Sequence, residues 1–197
     1  MLGHQEDLVL MKRAAPMGFT LIELAIIVAL IGVLLAIAMP QLGDWIANQR
    51  IRTAAEGVVN GLQLARTEAV RRNSLAELQI AEGGIAWNLV AGGETVQTRD
   101  AGAGGGICIL DASWNCLGLA LPATSVTYNG LGRMVAPASF ALLYGSSNKA
   151  NRAMCAVVIA NTPRMCDPRR NDSSDPQACF AFDGTAVTRI VGCPLPP

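Results

Sequence analysis

Histidine is almost missing from this chain of 197 residues: the single one is His4, and it precedes the first long apolar run. Everything after it lacks the residue needed for Ser-His-Asp or Cys-His nucleophiles and for histidine metal sites. Net charge is lacking as well. Fifteen Lys+Arg stand against fifteen Asp+Glu, so no broad attraction to nucleic acid is expected. Six cysteines are present, yet no two are spaced C-x-x-C, which argues against zinc ribbons and thioredoxin-like redox motifs. The glycine-rich stretch Asp100–Gly106 lacks the G-x-x-x-x-G-K-S/T spacing, and Ile107 stands where G-x-G-x-x-G needs its last glycine. It reads as a flexible connection. With no convergent carboxylate pair either, no enzyme is expected, and catalytic residues, metal ligands and cofactors are all read as none.

What is present begins with Lys12 to Pro40, KRAAPMGFTLIELAIIVALIGVLLAIAMP. From Phe19 to Met39 there are 21 residues with one ionisable side chain, Glu23. About 20 apolar residues at ~1.5 Å rise cross the ~30 Å hydrocarbon core of a bilayer. No second run approaches that length, so the mean hydropathy of +0.36 owes most to this one. Three readings compete. A secretory signal has an apolar core of roughly 7–15 residues followed by its cleavage site, and this core is too long. A plain anchor accounts for the length and for Lys12 and Arg13 on the cytoplasmic side, but not for Glu23, whose carboxylate costs a few kcal/mol in lipid. The third reading is a processed anchor, cut before the apolar run at Gly18-Phe19.

Gly18-Phe19-Thr20-Leu21-Ile22-Glu23-Leu24 resembles the processing motif of type IV pilins and pseudopilins. The resemblance implies that a prepilin peptidase cleaves after Gly18 and methylates the new N-terminus at Phe19. It also implies that Glu23 pairs with the Phe19 amine of a neighbouring subunit, offsetting its own desolvation; a Glu23 that merely snorkels to the headgroups is the alternative. A start at Met11 gives the short basic leader MKRAAPMG, whereas residues 1–10 add nothing a leader needs; from Met1 or Met11 the mature chain is the same. Four segments follow: leader 1–18, transmembrane helix 19–40, amphipathic continuation 41–74 and periplasmic β head 75–197. Removing the leader leaves 179 residues, enough for one domain with a core.

Pro40 is expected to kink the helix or to mark its emergence from lipid. Beyond it, Val58, Leu62, Ala65 and Ala69 fall at helical spacing, and Asn73-Ser74 is the expected stop. Period-two patterning and turns then predict strands at Leu75–Ala81, Ile85–Ala91, Glu94–Thr98, Ser125–Tyr128, Phe140–Tyr144, Ala153–Ala160, Ala178–Phe182 and Ala186–Val191. Gly83-Gly84, Gly92-Gly93 and Asp183-Gly184 are the hairpin turns. Cys108, Cys116, Cys155, Cys166, Cys179 and Cys193 all follow the anchor, and an even count in an oxidising compartment reads as disulfides. Fifteen pairings are open. Cys108–Cys116 is favoured as a local loop and Cys166–Cys179 is preferred next, which leaves Cys155–Cys193.

Past the anchor, Ala65-Arg66-Thr67-Glu68-Ala69-Val70-Arg71-Arg72-Asn73 resembles the helix end of the GspH/FimT branch of minor pilins and pseudopilins. Val126-Thr-Tyr-Asn-Gly-Leu-Gly-Arg133 is similar to its strand-turn element, and Cys166-Asp167-Pro168-Arg169 to the segment before its final hairpin. The resemblance implies an α+β, type IV pilin-like fold: a long N-terminal helix, transmembrane in its first half, packed on an antiparallel β head. It implies a structural subunit that initiates or tips a type IV pilus fibre, with other pilins, the peptidase and an inner-membrane assembly platform as partners. The expected location is the bacterial inner membrane, with the head in the periplasm, and then the fibre. Two alternatives stay open. One is a minor pseudopilin of a type II secretion system. The other is DNA capture in uptake, for which relatives use a Gly-Arg-x-Arg hairpin; Thr185 replaces the first arginine here. Arg164, Arg169, Arg170 and Arg189 are the weak candidates, with Asp167, Asp172 and Asp175 interleaved among them.

Overall fold

The computed structural model describes residues 18–81, 83–100, 106–111, 113–117, 124–137, 139–148, 152–182, 187–190 and 193–194, with backbone alone at 38–41, 181–182 and 187–189. Two compact units divide the chain, Met1–Pro40 and Gln41–Pro197. Helix α1, Leu21–Arg72, contributes residues to both.

In the first unit the helix starts at Leu21 rather than at Phe19 because Thr20 caps it. The Glu23 amide donates to Thr20 Oγ1 at 3.2 Å and the Leu24 amide to the Thr20 carbonyl at 3.1 Å. Thr20-x-x-Glu23 has the residue pattern of a capping box, with an acid in the first turn where the helix dipole favours it. Apolar side chains then cover every side of the helix to Ile37, and all are exposed within the chain. Pro40 belongs to the helical backbone, but its side chain lies outside the described residues, as do residues 1–17.

In the second unit the same helix becomes one-sided. Ile51, Ala54, Ala55, Val58, Leu62, Ala65 and Ala69 are buried at the spacing of a single helical face. Gly61 has a packing reason: a Cβ there would stand 2.9 Å from the Trp87 ring. Trp87 Nε1, buried against the helix, donates to the Gly57 carbonyl at 3.1 Å. The helix ends in a Schellman motif, with the Asn73 amide on the Val70 carbonyl, the Ser74 amide on that of Ala69, and Asn73 at φ 47°.

Eleven strands follow among the described residues: β1 Ala76–Ile80, β2 Trp87–Ala91, β3 Glu94–Arg99, β4 Cys108–Ile109, β5 Thr124–Tyr128, β6 Met134–Ala136, β7 Phe140–Gly145, β8 Met154–Ile159, β9 Thr162–Cys166, β10 Phe180–Phe182 and β11 Val187–Arg189. They form antiparallel sheets in the orders β3-β2-β1-β5-β6, β4-β7-β8-β9 and β10-β11. Strand β1 alternates inward Ala76, Leu78 and Ile80 with more exposed neighbours, as a sheet covered on one face should. Strands β7 and β8 do not alternate, because both their faces are covered. Phe140, Leu142, Tyr144 and Ala156 join the core beneath α1, while Leu143, Cys155 and Val157 join a second cluster with Trp114, Cys166, Cys179 and Cys193.

Three strands were not expected from the sequence. Strand β4 has two residues and is held beside β7 next to the Cys108–Cys116 bond. Strand β6 is three residues long. Strand β9 contains Pro163, which a sheet tolerates only at an edge, and β9 is an edge strand. Its hairpin with β8 turns through Ala160 and Asn161, both at positive φ, instead of through Asn-Gly. Asn161 Oδ1 also accepts the Met134 amide at 2.8 Å, tying the turn to β6. Strand β10 starts at Phe180 rather than at Ala178, because Ala178 bridges to Asp167 and Cys179 is bonded to Cys166. The Asp183-Gly184 turn lies outside the described residues.

Candidate functional site

The first candidate is the start of α1. Thr20 and Glu23 occupy the cap and the first turn, Phe19 is 78% exposed, and exposure of the large apolar side chains that follow runs from 40% at Ile27 to 87% at Leu21. Among the described residues the Glu23 carboxylate has no partner. A surface this apolar demands a covering, which the described residues of the first unit do not supply. No single helix of described residues is both long and apolar enough to cross a membrane; Leu21–Ile37 and Leu42–Arg72 meet that measure only together.

The second is the helix end, where two of the motifs singled out in the sequence meet. Arg66 Nε donates to the Gly132 carbonyl, and the turn Asn129–Arg133 is knitted by Asn129 Oδ1, which accepts the amides of Leu131 and Arg133. Glu68, largely buried, takes bonds from Arg71 and Arg72, and these hold its carboxyl below the usual range. Here the sequence motif is an ion-pair and turn network that joins the helix to β5 and β6. Nothing in residue spacing announced the Arg66–Gly132 contact.

The third is the C-terminal region. Asp167 Oδ1 accepts the Arg169 amide, and Pro168 is fully buried. Arg170 pairs with Asp175 at 2.5 Å and lies 4.0 Å from Asp167. That pairing raises the Arg170 pKa and, together with the Gln177 amide, lowers that of Asp175. Arg164 donates to the Phe180 carbonyl. Two of the four candidate arginines thus already serve the fold, Arg169 is also engaged, and the Arg189 side chain is outside the described residues. A cleft of about 490 Å³ opens beside this loop, lined among others by Trp45, Arg52, Arg152 and Arg170.

Disulfides join Cys108 to Cys116, Cys155 to Cys193 and Cys166 to Cys179. The last two pairs are packed together, their four sulfurs within 4.8 Å of one another. No sequence spacing signalled that cluster, because its members come from β8, β9 and the C-terminal segments.

The family model described as type II transport protein GspH matches residues 54–162, which takes in the buried half of α1 and both large sheets up to the start of β9. The chain belongs to the GspH family. It is a type IV pilin-like protein of that family, and the matched residues are the buried part of the helix and most of the head just described. Its N-terminal region is similar to a fimbrial protein of Pseudomonas aeruginosa, 48% identical over 56 residues, covering 28% of this chain and 36% of that protein. It is likewise similar to the type IV major fimbrial protein FimA of Dichelobacter nodosus, 51% identical over 53 residues, covering 26% and 31%. The match thus spans about a third of those relatives. Among solved structures, the type IV minor pilin FimU of Pseudomonas aeruginosa aligns at 20% identity and a TM-score of 0.45, over 67% of this chain and 96% of that one.

Proposed function

We propose that this GspH-family chain is a minor pilin or pseudopilin, a structural subunit that initiates or tips a type IV pilus-like fibre. One observation carries the reading: the helix from Leu21 to Ile37 exposes apolar side chains on all sides, with a single carboxylate, Glu23, in its first turn. Such a helix is stable in lipid or in a bundle of its own kind, and transfer from one to the other keeps its apolar surface out of water. A peptidase that removes residues 1–18 creates a positive amine on Phe19. In the bundle, Glu23 of one subunit accepts that amine from the next, and this sets the axial register. The assembly platform of the inner membrane is the machine that would draw the subunit out of lipid. The head, cross-linked by three disulfides, stays folded outside the membrane.

N-terminal sequencing of membrane-extracted protein tests the processing. A mature chain beginning at Phe19 is expected; one beginning after residue 39 would mean an ordinary secretory signal. Fibre fractions from cells carrying a tagged copy test the role, since a subunit that never co-purifies with pili or pseudopili has some other task.

A further inference from the structure

We propose that Cys155, Cys166, Cys179 and Cys193, when reduced, form a tetrathiolate site for a soft d10 cation of the zinc class, in place of their two disulfides. The backbone builds the constellation. Antiparallel pairing of β8 with β9 sets Cys155 directly opposite Cys166. The Asp167–Ala178 bridge brings Cys179 alongside, and the Cys193 amide bonds to Ile190, which in turn bonds to Cys179. All four sulfurs lie within 4.8 Å of one another. Metal–sulfur bonds of about 2.3 Å in a tetrahedron require sulfurs about 3.8 Å apart, a separation inside the 4.8 Å that the four already span.

Two further observations point to an anionic cluster. Four thiolates around a divalent cation carry two net negative charges, which need donors nearby. Arg164 sits two residues before Cys166, on the same face of β9, and its guanidinium donates to the carbonyl of Phe180, the residue after Cys179. Among the described residues its Nε is a buried donor with no acceptor, as is Nε1 of Trp114, which packs in the same cluster as the four cysteines. A disulfide sulfur is a poor acceptor, whereas a metal-bound thiolate takes such N–H groups well. Cys166 also borders the 490 Å³ cleft, beside Met154 and Met165, whose thioethers suit soft cations and not magnesium or calcium.

The chemistry balances. Two equivalents of a dithiol reductant give up four electrons and four protons, becoming two disulfides, and the protein's two disulfides become four thiols. The cation then displaces four protons as it binds. Oxidation by a disulfide-bearing oxidant reverses the first step and ejects the metal. Metal and disulfides therefore exclude each other, and the newly exported, still reduced head is the form that binds.

The full chain in detergent micelles, reduced with a phosphine and kept without oxygen, is titrated with Co²⁺ as the probe. One Co²⁺ per chain is expected, with thiolate charge-transfer bands and the strong visible bands of a tetrahedral centre, bleached by one equivalent of Zn²⁺. The bands should persist in Cys108→Ser/Cys116→Ser and vanish in Cys179→Ser/Cys193→Ser. In the unmutated reduced chain, Zn²⁺ should slow alkylation of the four cysteines and leave Cys108 and Cys116 reactive, which mass spectrometry reads without any variant. Absent bands, bands that survive loss of Cys179 and Cys193, or alkylation rates for all six cysteines that ignore Zn²⁺ would overturn the site. None of these outcomes depends on the fibre role.

Discussion

Arg66 Nε donates to the backbone carbonyl of Gly132 at 3.1 Å, across 66 residues of sequence. The contact joins the last turns of α1 to the β5–β6 turn, and Gly132 makes it possible. Its φ is +69°, and a Cβ there would stand 3.1 Å from Val70 Cγ2 and 3.2 Å from Arg66 Nε.

Gly132→Ala should therefore destabilise the head by about 1–3 kcal/mol, the usual cost of a left-handed non-glycine residue. Arg66→Ala should cost about 1 kcal/mol for the lost bond, and the two changes should be less than additive because they share a contact. Urea unfolding of residues 41–197 measures both. Full additivity would show the two residues to be uncoupled.

Glu23 can act through its charge or through its place in the capping pattern, and one substitution separates these. Glu23→Gln keeps a residue that suits the third position of a capping box but removes the charge. If pairing with the Phe19 amine drives assembly, Glu23→Gln and Glu23→Val should both insert in the membrane and both fail to enter fibres. Normal fibre entry of Glu23→Gln would leave helix capping as the role. Thr20→Val should instead weaken the helix start by about 1 kcal/mol, seen as faster amide exchange at Ile22 to Leu24.

Both tyrosines of the chain are buried, and burial pushes each phenol up: Tyr128 to about 12, and Tyr144, which donates to the Gly84 carbonyl, further still. Raised folded pKa values mean that the unfolded chain ionises first. Stability is thus unaffected below about pH 10, the ordinary tyrosine value, and falls as pH rises from there toward 12. An ultraviolet titration of residues 41–197 should show little tyrosinate at pH 10 and then a cooperative rise with unfolding. A simple two-tyrosine titration centred at pH 10 would contradict the burial.

DNA binding should be weak and non-specific, with Kd of about 10⁻⁴–10⁻⁶ M at physiological salt and a steep loss as salt rises. Arg170 is neutralised by Asp175, so Asp175→Asn should strengthen binding and Arg169→Ala/Arg170→Ala should weaken it. Submicromolar binding abolished by Arg189→Ala would make DNA capture the leading function instead.

Much of the architecture was legible because it rests on local chemistry. The spacing of Val58, Leu62, Ala65 and Ala69 marks one face of a helix, Asn73-Ser74 marks its end, and the alternation in Ala76–Ile80 marks a half-covered strand. Strand β9 was not legible: its turn has no glycine, and Pro163 argues against a strand unless one already knows that it lies at an edge.

What the sequence determined by itself is the apolar run with its lone Glu23, the glycine before it, the presence of six cysteines able to pair, and the family to which the chain belongs. Each depends on composition or on residues close together in the chain. Only the tertiary structure decided that Arg66 reaches Gly132, that Arg170 is taken by Asp175, and that sulfurs from positions 155, 166, 179 and 193 share one buried pocket. Those are contacts between segments far apart in sequence, set by strand register and by which faces are covered, and no spacing rule encodes them.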